Sequence, residues 1–170
     1  MPWNRACPDA RAGLLQWILI AGNLRVPCTL GRSGRVWRKR EGDGGTPRGS
    51  WGMRYALVRP GRRIQSLLPQ KPIRRDDAWC DEATDPNYNR PVRLPYRSSH
   101  ERLWRDDQLY DVVVVLDYND RQRRRFGGSA IFFHVSDPKG APTAGCVAVS
   151  LNDMRKVLAL CGQRTKIKVW

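Results

Sequence analysis

Histidine is nearly missing from this chain: of its 170 residues, His100 and His134 alone are histidines. Its five cysteines, Cys7, Cys28, Cys80, Cys146 and Cys161, form no Cys-x-x-Cys pair. A structural zinc site needs four such ligands at short spacings, so no metal is expected. No apolar run approaches the roughly 20 residues of a membrane-crossing helix, and no membrane span is expected. Acidic residues are also scarce, 16 against 31 Lys and Arg, which leaves a net charge of +15. Such a balance favours polyanions: nucleic acid, an anionic membrane surface or an anionic wall polymer. The basic clusters at Arg35, Arg38, Lys39, Arg40 and at Arg121, Arg123, Arg124, Arg125 serve such a partner, or are solvated loops. Internal repeats and linkers are absent. The segment "GLLQWILIAG" has the length of a secretion-signal core, but only two arginines precede it and no convincing cleavage site follows. It reads instead as part of the fold, so no signal peptide is expected.

What is present suits one ordinary globular domain spanning residues 1–170. The chain is 41% hydrophobic and carries seven tryptophans, each able to bury much area. "LLQWILIAGNLRVPCTLG" reads as two strands around an Ala-Gly-Asn turn. "GRSGRVWRKREGDGGTPRGSWGM" holds seven glycines in 23 residues, which predicts an extended loop with exposed backbone. It lacks the Gly-Lys-Ser/Thr ending of a phosphate-cradling loop, so a nucleotide site and any other cofactor are not expected. "MRYALVRPGRR" is a strand. Residues 66–108, rich in proline, aromatics and charge, read as a long irregular insert or lid. "LYDVVVVLDYN" has the β-branched run of a central strand buried on both faces. "SAIFFHV" is a strand ending at His134, and Cys146 opens the short strand "CVAVS". Ser150 and Asp153 make a capping-box-like start to the helix "LNDMRKVLAL", with Leu151, Met154, Leu158 and Cys161 on one side and Gly162 as its C-terminal cap. "TKIKVW" returns as a strand. The expected fold is mostly β with one confident helix near the C-terminus.

An odd number of cysteines leaves at least one thiol outside any intramolecular disulfide scheme. Such a thiol is a buried small hydrophobe or a nucleophile. Cys28 and Cys161 have the apolar surroundings of core thiols, and the acids flanking Cys80 disfavour its thiolate. "PTAGC" is the local setting in which a nucleophile fits. Gly145 lets a substrate approach closely, and the neighbouring amides can point at a developing oxyanion. His134 ends one strand and Cys146 starts the next after an eleven-residue connection. Antiparallel pairing of the two would bring imidazole and thiol together. A nucleophilic cysteine would also have a depressed pKa and an accessible sulfur.

The segment from His134 to Ser150 resembles the active-site signature of the L,D-transpeptidase catalytic domain (YkuD) family: a strand-end histidine, a short flap, then Ser/Thr-x-Gly-Cys. The matching residues are His134, Thr143, Gly145 and Cys146. Upstream, "KREGDGGTPRGSWGM" resembles the family's Gly-rich stretch through Gly45, Thr46, Pro47, Gly49 and Trp51. Ala144 stands where the family usually has a second histidine, and Ala148 where a polar Arg or Asn is common. The insert "DPNYNRPVRLPYRSSHERLWR" resembles that of a compact proteobacterial branch associated with crosslinks from the first-position L-alanine of the stem peptide, the 1,3 type.

The resemblance implies a β-sandwich or barrel-like fold and a peptidoglycan-processing, periplasmic cysteine acyltransferase that works as a monomer without cofactor. Cys146, activated by His134, would attack an L-centre carbonyl of a donor stem peptide. The side-chain amine of diaminopimelate in an acceptor stem would then take the acyl group. A carbonyl of Thr143 or Ala144 would orient the imidazole. Water as acceptor would make the same site an L,D-carboxypeptidase or endopeptidase. In the insert, Tyr88, Asn89 and Arg90, with Asn87, line the substrate cleft or form an Asn-stabilised turn. His100 binds substrate or packs, and Trp79 and Trp104 wall the groove or anchor the insert. A basic nucleic-acid-binding β domain is the competing class; it accounts for the charge and gives no reason for "PTAGC".

Overall fold

A computed structural model of the chain describes residues 6–9 and 16–170. The chain opens with β1 (Ala6–Asp9), β2 (Gln16–Ala21) and β3 (Leu24–Cys28), an antiparallel sheet in that order. Gly22, at φ +61°, turns the β2–β3 hairpin, where a side chain would be strained. The short β4 (Arg35–Val36) and β5 (Thr46–Pro47) pair in parallel inside the glycine-rich stretch. Then come β6 (Gly49–Val58), β7 (Gln70–Pro72), β8 (Asp77–Cys80), β9 (Arg90–Arg93), β10 (His100–Arg102) and β11 (Val112–Leu116). The chain closes with β12 (Phe132–Val135), β13 (Val147–Val149), α1 (Leu151–Ala159) and β14 (Lys166–Val169).

The main sheet runs β13-β12-β11-β6-β14, with β7 added against β6. Val112 to Leu116 of β11 are all buried because this strand is covered on both faces. Val112, Val114 and Leu116 join Phe133, Met53, Met154 and Leu158 in a core beneath α1 and the β2–β3 hairpin. Val113, Val115 and Phe132 point the other way, into a second core with Ile73, Trp79, Leu103, Tyr110 and Cys146. Each fully buried Val or Phe side chain contributes roughly 1.5–3 kcal/mol, so both faces are firmly clamped. Thr29 and Ala148 exchange two backbone hydrogen bonds, of 2.8 and 2.9 Å, which fasten the end of β3 to β13. The fold is mostly β with one helix, as the sequence predicts.

Three details differ. The insert is not irregular: β10-β8-β9 form their own antiparallel sheet. Its strands have three or four residues, too short for a clear alternation, and Pro91 is tolerated because β9 is an edge. β12 and β13 pair in parallel, not antiparallel. Ser150 does cap α1, accepting from the Asp153 amide at 3.1 Å. At the other end Leu160, in ordinary right-handed conformation, terminates the helix. Gly162 instead donates its amide to Thr165 Oγ1 at 2.9 Å.

Candidate active site

The loop carrying Cys146 is fixed by crossing backbones. A Cβ on Gly31 would lie 2.2 Å from the Gly44 carbonyl oxygen and 3.0 Å from Gly145 Cα. A Cβ on Gly145, at φ +145°, would lie 2.9 Å from the Gly45 carbonyl oxygen. Only glycine allows main chains this close. Thr46, 1% exposed, accepts from the Gly31 amide at 2.8 Å and donates to the Cys146 carbonyl at 3.4 Å. Thr143 Oγ1 donates to the same carbonyl at 2.7 Å and accepts from the Gly145 amide at 3.1 Å. The Thr143 carbonyl is taken by the Arg32 amide at 2.9 Å. The glycine-rich stretch therefore buttresses the Cys146 loop, a long-range role its composition does not announce.

His134 lies on β12 opposite Ala148 of β13, and Phe133 opposite Val147. By alternation it shares the face of Phe132 and Cys146, two residues (about 7 Å) further along the strand than Cys146. Its Nδ1 meets the Val135 carbonyl at 2.8 Å. That carbonyl, rather than one at Thr143 or Ala144, orients the ring, because β12 ends in the right place to supply it. With the proton on Nδ1 donated there, Nε2 carries a free lone pair. The Tyr110 ring packs edge-on against the imidazole, centroids 5.1 Å apart. Burial pulls the His134 pKa down to about 4, so the ring is neutral at pH 7.

Cys146 is buried, 7% exposed as a residue. Its thiol donates to the Ala130 carbonyl at 3.2 Å and accepts from the Phe132 amide at 3.4 Å. No hydrogen bond joins it to His134 among the described residues. Burial, and next the Glu101 carboxylate, push its pKa up to about 12. The depressed pKa and open sulfur expected from the sequence are not what the fold provides: the resting pair is a neutral thiol and a neutral imidazole.

Both side chains line one cavity of about 610 Å³, together with Thr143, Ala144 and Gly145. Its charged walls are mixed: Arg32, Lys39, Arg102 and Arg105 against Glu41, Asp81, Glu101 and Asp137. Lys39 pairs with Asp43 at 2.5 Å and its side chain is 4% exposed. Tyr110 donates its hydroxyl to Glu101, whose pKa burial raises. Asp81 Oδ1 is buried without a hydrogen-bond partner among the described residues.

Of the insert residues expected at substrate, His100 lines this cavity, with its Nδ1 at 2.8 Å from the Ser98 carbonyl. Tyr88, Asn89, Arg90 and Trp104 do not line it. Tyr88 is 2% exposed and donates to Glu41 while accepting from the Gly128 amide at 3.0 Å. Asn89 is 3% exposed and fully hydrogen bonded. Arg90 pairs with Asp120 at 2.6 Å. The Arg59 and Arg75 guanidinium groups lie over the Trp104 ring, 4.4 and 5.1 Å from its centroid. These four hold the insert on the domain. Cys28, Cys80 and Cys161 are buried free thiols whose pKa burial raises, and the Cys7 side chain lies outside the described residues. Sequence reasoning passed over Glu101, Tyr110 and the carbonyls of Ala130 and Val135, and read Lys39 only as part of a basic cluster. None carries a local motif; tertiary placement alone brings them to the cavity.

The model of the L,D-transpeptidase catalytic domain (YkuD) family matches residues 15–169. No curated protein and no solved structure matches the chain.

Proposed function

The chain belongs to the L,D-transpeptidase catalytic domain family, and on that premise we propose that it is a peptidoglycan L,D-transpeptidase with Cys146 as nucleophile and His134 as general base. The observation that carries this reading is the placement of both side chains in one cavity, with the Val135 carbonyl accepting from Nδ1.

Because the resting pair is neutral, proton transfer accompanies attack. The thiol turns from the Ala130 carbonyl, Nε2 takes its proton, and sulfur bonds to the L-centre carbonyl carbon of the donor stem. Gly145 leaves room for that approach. Its own amide is engaged by Thr143, so the Cys146 amide is the donor we assign to the oxyanion; one such donor lowers the barrier by ~3 kcal/mol. Collapse breaks the C–N bond, and the imidazolium protonates the departing amine. The diaminopimelate amine of the acceptor stem then attacks the thioester, passes a proton through His134 and releases the Cys146 thiol. The insert favours first-position L-alanine as donor, the 1,3 type, and the setting is the periplasmic wall, with the protein acting as a monomer.

Incubation with purified muropeptides, read by mass, tests this. Crosslinked dimers that vanish in Cys146→Ala and His134→Ala are expected. Shortened stems alone would make the enzyme a carboxypeptidase or endopeptidase of the same fold. Unchanged muropeptides would overturn the acyl-transfer reading.

A further inference from the structure

Apart from Lys39, the two basic clusters of the sequence lie outside the Cys146 cavity, yet the fold brings them together. Arg38 and Arg40 face Arg124 and Arg125 across an open cleft of about 870 Å³. The Glu41 amide donates to the Phe126 carbonyl at 2.9 Å and ties the two segments to each other. Lys39 and Glu41 line this cleft and the Cys146 cavity alike, so the two sites share a wall. The four arginines are exposed, and none of their guanidinium groups has an ion pair or side-chain hydrogen bond among the described residues. Among the described residues the cleft is lined by one acid, Glu41, already engaged by the hydroxyls of Tyr88 and Ser129. Trp37 and Phe126, 79% and 60% exposed, flank the arginines.

Four cations around one concavity repel one another unless an anion sits among them. Guanidinium groups match carboxylates in a planar, two-bond geometry, and exposed rings beside them cover the apolar edges of a sugar or peptide. We infer that this cleft is a carboxylate-binding subsite for the peptidoglycan strand, holding the stem that adjoins the one engaged at Cys146. The inference rests on the transpeptidase reading for its ligand and on the convergence of Arg38, Arg40, Arg124 and Arg125 for its place. A strand of repeating stems cannot fit within the catalytic cavity, and the neighbouring cleft is where its next carboxylates find cations.

The test uses the full chain carrying Cys146→Ala, titrated calorimetrically with a purified disaccharide-tetrapeptide dimer. Arg124→Glu with Arg125→Glu should weaken binding about tenfold, since each reversed exposed pair counts for a few-fold. Dimer whose carboxylates are amidated should bind the unsubstituted cleft equally weakly. With the native cysteine, alkylation of Cys146 should proceed at the same rate whether or not Arg124 and Arg125 are replaced. Unchanged affinity in the double variant would overturn the subsite, as would full-strength binding of the amidated dimer. Tighter binding of a short oligonucleotide, lost with the same substitutions, would replace the wall strand by nucleic acid as occupant. A failure to crosslink in the unsubstituted chain would count against the catalytic reading, while these affinities judge the cleft itself.

Discussion

Replacing Asn89 by alanine should damage both stability and the setting of the Cys146 thiol, although Asn89 touches neither Cys146 nor His134. Its Oδ1 accepts from Trp79 Nε1 at 2.9 Å and from the Ala130 amide at 3.1 Å. Its Nδ2 donates to the carbonyls of Tyr118 and Asn119 at 3.2 and 3.0 Å. Truncation orphans two donors in a buried site, at about 1–3 kcal/mol each. Asn89 also sits at φ +56°, where alanine is about 1 kcal/mol worse than asparagine. The sum is about 4 kcal/mol, a large part of the total stability of an ordinary domain. In urea, with a slope near 2 kcal/mol/M, the midpoint should fall by about 2 M. The functional consequence runs through Ala130, whose amide binds Asn89 and whose carbonyl holds the Cys146 thiol at 3.2 Å. The rate of Cys146 alkylation should therefore change in Asn89→Ala under native conditions. Asn89→Asp, which keeps the Oδ1 acceptor, should leave it nearer the unsubstituted rate. A midpoint shift under 0.5 M, about 1 kcal/mol at that slope, together with an unaltered alkylation rate, would refute the reasoning.

Two further outcomes follow from the same geometry. Gly145→Ala must hold a Cβ at φ +145°, 2.9 Å from the Gly45 carbonyl; it should lose about 1–3 kcal/mol in thermal unfolding. Its crosslinking rate should collapse, and a fully active variant would show that the close approach is not needed. Acid should weaken the fold through His134, whose pKa is about 4 when folded against 6.5 ordinarily. The unfolded chain binds the proton first, so this stability is complete above pH 6.5 and declines as pH falls through 4. The difference amounts to about 3 kcal/mol. Urea midpoints of the parent chain and of His134→Gln, compared between pH 7 and pH 4, should converge on acidification; parallel curves would rule the imidazole out as the cause.

Much of this was legible in the residues. The β-branched run of β11 and the Ser150 cap each follow from short-range chemistry, and they stand where the sequence puts them. His134 and Cys146 could be singled out because each is scarce and sits at a strand end. Register was not legible: eleven residues between β12 and β13 permit a hairpin or a crossover, and nothing local in "SDPKGAPTAG" selects the parallel pairing. Nor was the fate of Tyr88, Asn89 and Arg90. Polar side chains in an Asn- and Pro-rich stretch suit a cleft or a buried tie equally well, and the choice depends on Glu41, Ala130 and Asp120, all at least 30 residues away in the chain. The thiol's environment was hidden for the same reason, since the Ala130 carbonyl and the Glu101 carboxylate reach it from other segments.

Under the proposed function, that environment bears on how the Cys146 thiol is guarded. Burial pushes the thiol pKa up and the imidazole pKa down, so each group is driven to its neutral form. Glu101 adds to this, because a carboxylate facing the sulfur disfavours a second negative charge. The same carboxylate opposes the oxyanion less once an ammonium, such as that of an incoming acceptor stem, occupies the cavity beside it. Under the proposed function nucleophilicity then depends on a bound substrate that offers the thiol proton a concerted path to Nε2, and a thiol still hydrogen bonded to Ala130 reacts only slowly with oxidants and stray electrophiles. With four buried free thiols among the described residues, such an arrangement would tie reactivity at Cys146 to occupancy of the cavity it lines.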